Sequence, residues 1–215
     1  MSIIAGVIHR RDAEAAPEFA EKLKLDWKRY QEADVSELDE AWALALAAAE
    51  DQARAERRTD LTEYLAVRNS NDLKRKIGKD WLLETFASLA AEASLAGAAI
   101  EISHQDGHRF KVGNATMVGS SLALKKGVRV LLVAAGWPRV PHDGFIRGGG
   151  LALGNIQHLG MKRANEELRL LLDPDGSPLW VVENKIDGHS QIRESDLRSH
   201  IAILLTDSSV SPRHS

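Results

Sequence analysis

The chain has 215 residues, a formal net charge of −3, 44% hydrophobic residues and no cysteine. This composition is ordinary for a globular protein, and the length allows one large domain or two small ones. The absence of cysteine excludes disulfides, zinc-thiolate sites and thiol nucleophiles, and the net negative charge argues against a protein that coats nucleic acid electrostatically.

The charge is unevenly distributed along the chain. Residues 1–96 hold 14 Lys/Arg against 19 Asp/Glu, whereas residues 97–215 hold 14 against 12. A site for a polyanion is therefore expected in the second half. The first residues lack the pattern of a signal peptide, and the longest apolar stretches fall well short of the roughly 20 residues that a membrane span needs. We therefore expect a cytoplasmic protein with no membrane partner.

The first half of the chain has the hydrophobic period of amphipathic helices. Pro17 suits the first turn of a helix whose Phe19, Leu23 and Trp27 share one face. Ser36 is a good N-cap for the next helix, which has acidic residues in its first turn. Its apolar stripe consists of Leu38, Trp42, Ala45 and Ala49.

Two further helices are predicted before residue 98. Thr59 can cap a short helix that ends where Asn-Ser-Asn at residues 69–71 favours a turn. Asp80 can cap a helix that Gly97 terminates. A basic patch lies between them and is a candidate for contacting phosphates, although a charge run is more often a solvated face. The patch is formed by Lys74, Arg75 and Lys76.

From residue 98 the hydrophobic period changes to two, which predicts strands. Turn signals at residues 105–108, 125–127 and 173–178 each separate two apolar runs and predict three hairpins. Residues 137–150 form a predicted long loop, and 151–159 a further strand. Ser195 can cap a last helix, which precedes a tail predicted to be disordered.

Three successive hairpins favour an antiparallel sheet, because parallel pairs need longer crossovers. The predicted fold class is therefore α+β, with a helical N-terminal half, a mainly antiparallel sheet and a C-terminal helix. The predicted domains are a helical region at 1–79, a sheet domain at 80–207 and a disordered tail at 208–215.

One short motif carries a chemical signal. Four apolar residues at 179–182 are followed by Glu183, Asn184 and Lys185. On a strand, Glu183 and Lys185 share one face and Asn184 lies on the other. The segment resembles the PD-(D/E)xK nuclease superfamily, in which an apolar strand ends in an acidic residue, one spacer and a lysine. The resemblance covers about ten residues of the chain.

The resemblance implies Mg²⁺-dependent cleavage of phosphodiester bonds, with DNA as the expected substrate. Glu183 would hold the metal, which prefers oxygen ligands, and Lys185 would orient a water or stabilise charge on the phosphate. The family usually has an aspartate on the preceding antiparallel strand. If Asp173 pairs with Pro178, Lys185 faces Glu166 here, and a slip of one residue brings in a second glutamate instead. The predicted metal ligands are accordingly Glu166, Glu167 and Glu183.

Two departures from the family pattern accompany the match. A glutamate replaces the usual aspartate, and Ser195 stands where some relatives have a tyrosine four residues after a glutamine, here Gln191. Glu84 or Glu92 on the preceding helix could supply a further carboxylate, as in some members.

Other polar clusters have simpler explanations. His104, Asp106 and His108 form an H-x-D-x-H pattern, but an Asp-Gly turn would direct the two histidines to opposite faces. Gly148-Gly149-Gly150 could cradle a phosphate with backbone amides, although its spacing fits no phosphate-binding motif and a flexible loop end is favoured. In the same loop Arg139 and Arg147, with His142 and Asp143, are candidates for binding an anionic ligand.

Three functions therefore remain open, and the sequence does not decide whether the protein is an enzyme. The first is a Mg²⁺-dependent nuclease-like domain acting on DNA. The second is a non-enzymatic binding or assembly protein that meets a protein partner through its helical N-terminal half. The third is a ligand-binding regulator that uses the loop at residues 137–150.

Overall fold

A computed structural model of the chain describes residues 35–56, 58–139, 143–184 and 188–206. Contacts between residues divide the chain into two units, Met1–Ala45 and Leu46–Ser215. The helix predicted around Trp27 and the tail predicted from Ser208 lie outside the described residues.

The described helices are α1 (Val35–Ala55), α2 (Thr59–Leu95) and α3 (Glu194–Leu205). Helix α1 confirms the predicted helix, but Ser36 lies inside it and is not its N-cap, because Val35 is already helical. The predicted break at residues 69–71 and the predicted cap at Asp80 are wrong, because α2 is continuous through these positions. Asn and Ser each weaken a helix by only a few tenths of a kcal/mol (about 0.5), so packing on either side of the segment keeps it helical. None of the described helices is both long and apolar enough to cross a membrane.

Within the described residues, seven antiparallel strands form one sheet in which each strand pairs with the next along the chain. This arrangement confirms the α+β class, with helices first, then an antiparallel sheet and a C-terminal helix. The strands are β1 (Glu101–Val112), β2 (Ala115–Lys126), β3 (Arg129–Trp137), β4 (Ala152–His158), β5 (Glu166–Leu172), β6 (Pro178–Asn184) and β7 (Gly188–Gln191).

The hairpin predicted at residues 105–108 is wrong, because these residues belong to a single long strand. Gly107, at φ 69°, forms a bulge that shifts the β1–β2 register by one residue. The chain turns later, where Val112 pairs with Ala115 and Gly113 has φ 57°. The other two predicted hairpins and the strand β4 are confirmed, and the long loop before β4 is confirmed over its described residues 138–139 and 143–151.

Helices α2 and α3 cover one face of the sheet and enclose the main core with it. Gly78 allows α2 to approach closely, since a Cβ there would lie 2.6 Å from a methyl carbon of Leu170. Its carbonyl accepts a 2.8 Å hydrogen bond from the indole N–H of Trp180. The buried apolar side chains include Leu82, Phe86, Leu89, Leu122, Leu131, Val133, Ile156, Leu168, Leu197 and Leu204.

A smaller apolar cluster joins α1 to α2. Leu46 and Ala53 of α1 pack with Leu65 of α2, and Leu61 covers the edge of the cluster. The two helices therefore share a separate core that does not include the sheet.

Candidate functional site

The hairpin between β5 and β6 determines where the acidic side chains of the predicted nuclease site lie. The backbone N–H of Asp173 donates to the carbonyl of Ser177 at 3.0 Å, and Leu172 pairs with Pro178. The loop thus has three residues, of which Gly176 takes the left-handed conformation at φ 81°. The first predicted register, in which Asp173 pairs with Pro178, is wrong by one residue. The register observed is the one-residue slip.

This register separates the two predicted glutamates of β5 onto opposite faces of the sheet. Leu168 pairs with Val182, and both belong to or pack against the helix-covered core. Glu166 alternates onto that same face and Glu167 onto the opposite one. Continued by one residue, the register brings Glu167 level with the backbone position of Glu183.

The predicted catalytic pair lies largely outside the described residues. The backbone of Glu183 pairs with His189 of β7, whereas the Glu183 side chain and all of Lys185 are not described, so their convergence stays a prediction. Among the described residues no group of three or more His, Asp or Glu side chains could hold a metal ion. Glu84 is exposed on α2, and Glu92 forms an exposed 3.1 Å ion pair with Arg198 of α3.

Glu166 instead belongs to a buried histidine chain that the sequence did not reveal. Its carboxylate lies 3.5 Å from Nε2 of His200, and Nδ1 of His200 lies 3.0 Å from Nε2 of His158. Both imidazoles are buried, so the contact joins α3 to the end of β4. Burial lowers the pKa of His158 below 6.5 and the nearby His200 lowers it further, against the opposing effect of Glu166. Only the position of His200 in the apolar stripe of α3 signals burial, and nothing in the sequence pairs it with His158.

A groove opens beside the predicted nuclease motif. It has a volume of about 630 Å³, and its lining reaches Val182, the residue before Glu183. Leu153 and Arg169 pair with each other on the face opposite the helices, which places the groove on that face. Residues of the long loop, the β1–β2 turn, β4, β5 and β6 line it, among them Asn114, Phe145, Arg147, Leu153, Glu166, Glu167 and Arg169.

The loop that walls the groove is fixed by apolar packing and presents two exposed side chains. Ile146 packs on a small cluster formed by Ala115, Met117 and Leu153. On either side of it, Phe145 is 73% exposed and Arg147 is also exposed, and both line the groove. An exposed aromatic residue and an exposed arginine, two positions apart in the chain, therefore both line the groove.

The glycine run of this loop wraps around the side chain of Arg169. Gly148 accepts a 3.2 Å hydrogen bond from Nη1 of Arg169 through its carbonyl. A Cβ at Gly148 would lie 2.6 Å from that same nitrogen, and one at Gly150 would lie 2.9 Å from Cγ of Arg169. Gly149 has nothing within 4 Å of its would-be Cβ. Residues 148 and 150 therefore need to be glycine to leave room for the side chain of Arg169. The run, predicted to be a flexible loop end, is instead packed against this side chain.

A buried amide lies next to the groove. Asn155 of β4 pairs with Glu167 of β5 on the face opposite the helices. Its side chain is only 7% exposed. Within the described part of the chain its Oδ1 has no hydrogen-bond partner. Buried carbonyl oxygens usually have a donor, so this oxygen is an unsatisfied acceptor beside Glu167, although Asn155 does not line the groove.

The structure does not gather the predicted basic residues into one surface. Arg75 donates from Nε to the carbonyl of Leu151 at 2.9 Å, and its neighbours Lys74 and Lys76 point elsewhere because successive helix residues are about 100° apart. Arg139 stacks on the ring of Trp137 at 3.9 Å. Of these predicted anion contacts, Arg147 alone lines the groove.

The H-x-D-x-H pattern joins a polar network instead of a metal site. Asp106 accepts a 2.6 Å hydrogen bond from the hydroxyl of Ser120, which in turn lies 3.4 Å from Nζ of Lys79. His104 is 3.8 Å from Asp106, whereas His108 stacks on Phe110 beyond the bulge. The two histidines therefore occupy opposite faces, as predicted, although the bulge and not a turn separates them.

No protein-family model, no curated protein and no solved structure matches this chain.

Proposed function

We propose that the groove binds a nucleotide-type ligand, with the phosphate on Arg147 and the base against Phe145. The observation that carries this proposal is the pair of exposed side chains, one aromatic and one cationic, on a loop fixed over a groove. The volume of about 630 Å³ falls within the roughly 300–1,000 Å³ typical of small-molecule sites. A cytoplasmic location, expected from the sequence, belongs to this proposal.

The chemistry of the two side chains supports this ligand class. Guanidinium groups form paired hydrogen bonds to phosphate oxygens. A base stacked on an aromatic ring contributes about 1–3 kcal/mol and tolerates any sequence. Glu167, which lines the groove, is an acceptor suited to the amino groups of a base. A single nucleotide or one unit of a strand would use all of these contacts.

A titration with a fluorescently labelled single-stranded oligonucleotide tests the proposal. We expect saturable binding that inorganic phosphate weakens and that Arg147→Gln reduces about tenfold, which corresponds to about 1.4 kcal/mol. Lys125→Gln is the matched control, because it also removes one positive charge from an exposed side chain. Lys125 lies at the end of β2 that is far from the groove, whereas Ala115 at the other end lines it. Equal losses in the two variants would mean that net charge alone determines binding.

Metal-dependent cleavage of phosphodiester bonds is the second candidate. It is favoured by the β5–β6 register, which, continued by one residue, brings Glu167 level with the backbone position of Glu183, next to the end of the lining at Val182. Two carboxylates together with substrate phosphates suffice for Mg²⁺, which keeps several of its waters. When bound, the metal would polarise the scissile phosphate and lower the pKa of a water. Glu167 and Glu183 would hold it, and Lys185 would supply the positive charge that the motif implies.

A cleavage assay on plasmid and single-stranded DNA with Mg²⁺ or Mn²⁺ separates this candidate from simple binding. Glu167→Gln and Lys185→Ala are expected to abolish cleavage and leave oligonucleotide binding within about threefold of wild type, since binding relies mainly on the loop. Glu101→Gln is the control, because this carboxylate pairs with Lys125 and does not belong to the groove lining. Binding without cleavage would leave the first proposal in place and remove the second.

A further inference from the structure

Two histidines are buried together where α3 meets the end of β4. Nδ1 of His200 lies 3.0 Å from Nε2 of His158, and the two rings stack with their centroids 5.2 Å apart. The two residues are 5% and 4% exposed, respectively. Histidine is the side chain whose charge ordinarily changes between about pH 5 and pH 8. The contact between α3 and the sheet is therefore a place where the pH can act.

The carboxylate of Glu166 determines how the protons of this pair are arranged. It lies 3.5 Å from Nε2 of His200 and favours the tautomer that carries its proton on this nitrogen. Nδ1 of His200 then accepts a hydrogen bond from Nε2 of His158. Nδ1 of His158 is the ring nitrogen left to take a further proton, because Nδ1 of His200 is already an acceptor within the pair.

The surroundings of the pair make that further proton unfavourable while α3 is docked. Burial lowers the pKa of His158, and His200 and Arg129 of β3 lower it further against the opposing effect of Glu166. Helix α2 contributes an apolar ring, that of Phe86, 6.3 Å from the ring of His200. The docked state is therefore fully stable above the ordinary value of 6.5 and loses stability as the pH falls below it.

The other charged groups on the elements around α3 are engaged at its exposed side or at its C-terminal end. Glu92 of α2 forms an ion pair with Arg198 on the exposed side at 3.1 Å. Lys126 of β2 donates to the carbonyl of Leu205 at 2.9 Å. Among the described residues, Glu166 is therefore the carboxylate that can balance a charge on the pair, and its side chain is partly exposed.

Helix α3 can separate from the sheet without disturbing the order of the strands. Two residues link it to β7, and no described strand follows it. Its buried apolar side chains are Leu197, Ile201 and Leu204, which lie on the same side of the helix as His200. The core that joins α2 to the sheet, with Trp180, contains neither histidine.

We propose that the buried histidine pair is an acid-sensitive switch, which releases α3 from the sheet as the pH falls below neutrality while α2 and the strands stay in place. Undocking lets both rings reach water, so the released helix accepts the proton that the docked helix resists. Protonation of buried histidines at about pH 5–6 changes packing in this way in other pH sensors. Release uncovers the apolar side chains beneath α3, so the switch regulates access to that face of the sheet.

Hydrogen exchange of the full chain at about pH 7.5 and about pH 5, on either side of the ordinary range of histidine, tests the switch. After correction for the intrinsic exchange rate, we expect the protection of residues 197–204 to fall at least about tenfold at the lower pH. The protection of β2 and β3 should change by less than about threefold. Unchanged protection of α3 would overturn the proposal. An equal loss in α3 and the strands would also overturn it, because the whole domain would then be unfolding.

Three variants assign the effect to the pair. His158→Gln should abolish the pH dependence of α3 protection, whereas His189→Gln removes an exposed histidine of β7 and should behave as wild type. Glu166→Gln removes the balancing carboxylate and should enlarge the loss at the lower pH at least about threefold. Because Glu166 is partly exposed, this variant tests the switch even if His158→Gln does not fold. A full pH effect in His158→Gln, or an unenlarged one in Glu166→Gln, would refute the proposal.

Discussion

The two faces of the sheet have different compositions and different tasks. The face under α2 and α3 is closed by large apolar side chains such as Phe86 and Trp180, and its polar groups are bonded within the protein. The opposite face carries the groove with Arg147 and Glu167, and the glycine-containing loop before β4 covers part of it. One face therefore supplies most of the stability, and the other can keep polar groups available to a ligand. Substitutions on the two faces should separate stability from binding.

The largest expected effect is on the helix-covered face. Trp180→Ala removes a side chain that is 2% exposed and leaves the carbonyl of Gly78 without its indole donor. We expect the free energy of unfolding to fall by about 3–5 kcal/mol, measured by chemical denaturation. Trp180→Phe keeps most of the volume and should lose less. A loss below about 1 kcal/mol for the alanine variant would contradict the assignment of the core to this face.

The glycine loop is expected to give an intermediate effect on both stability and binding. Gly150→Ala adds a methyl group at φ 114° and 2.9 Å from Arg169, whereas Gly149→Ala adds one at φ 83° with open space around it. We expect Gly150→Ala to lower the free energy of unfolding by about 1–3 kcal/mol and the control by less. Oligonucleotide affinity should fall with the first variant alone. Equal effects would mean that backbone conformation matters and the enclosure of Arg169 does not.

Acid should weaken the helix-covered face through the histidine chain. Because burial lowers the pKa of His158 in the folded protein, the unfolded chain binds its proton more readily. The stability that neutral His158 contributes is therefore fully present above the ordinary value of 6.5 and is lost as the pH falls below it. Urea midpoints measured on either side of that pH should differ more in wild type than in His158→Gln. An equal pH dependence in the two proteins would assign the effect to other groups.

The smallest stability effect is expected at Arg147. Its side chain is exposed at the groove rim, so Arg147→Gln should change the free energy of unfolding by no more than about 0.5 kcal/mol. Thermal denaturation provides the check. A larger loss would mean that Arg147 holds the loop in place, and its effect on binding would then be indirect.

Local signals predicted the elements that local chemistry determines. The 173–178 turn has Asp, Pro and Gly where a hairpin needs them, and the amphipathic stripe from Ser36 predicted α1. The signals failed where distant packing prevails. Asp106-Gly107 was predicted to be a hairpin turn, but pairing with the buried strand β2 makes it a bulge. The chain turns instead after Val112, where there is also a glycine. Asn-Ser-Asn at residues 69–71 likewise remains helical.

The site was predicted in part for the same reason. The sequence placed a candidate anion contact at Arg147 and a carboxylate at Glu167, because loop composition and strand alternation are local properties. It could not place Glu166 against His200, nor Gly148 around Arg169. Those contacts depend on the sheet register and on the docking of α3, which join residues far apart in the chain.

Backbone amide chemical shifts measured during a nucleotide titration test the central claim most directly. We predict shifts concentrated in residues 144–150 and 165–169 around the groove, with residues 197–204 of α3 nearly unchanged. Saturation without shifts in the groove, or shifts confined to the helix-covered face, would contradict the assignment of ligand binding to the open face of the sheet.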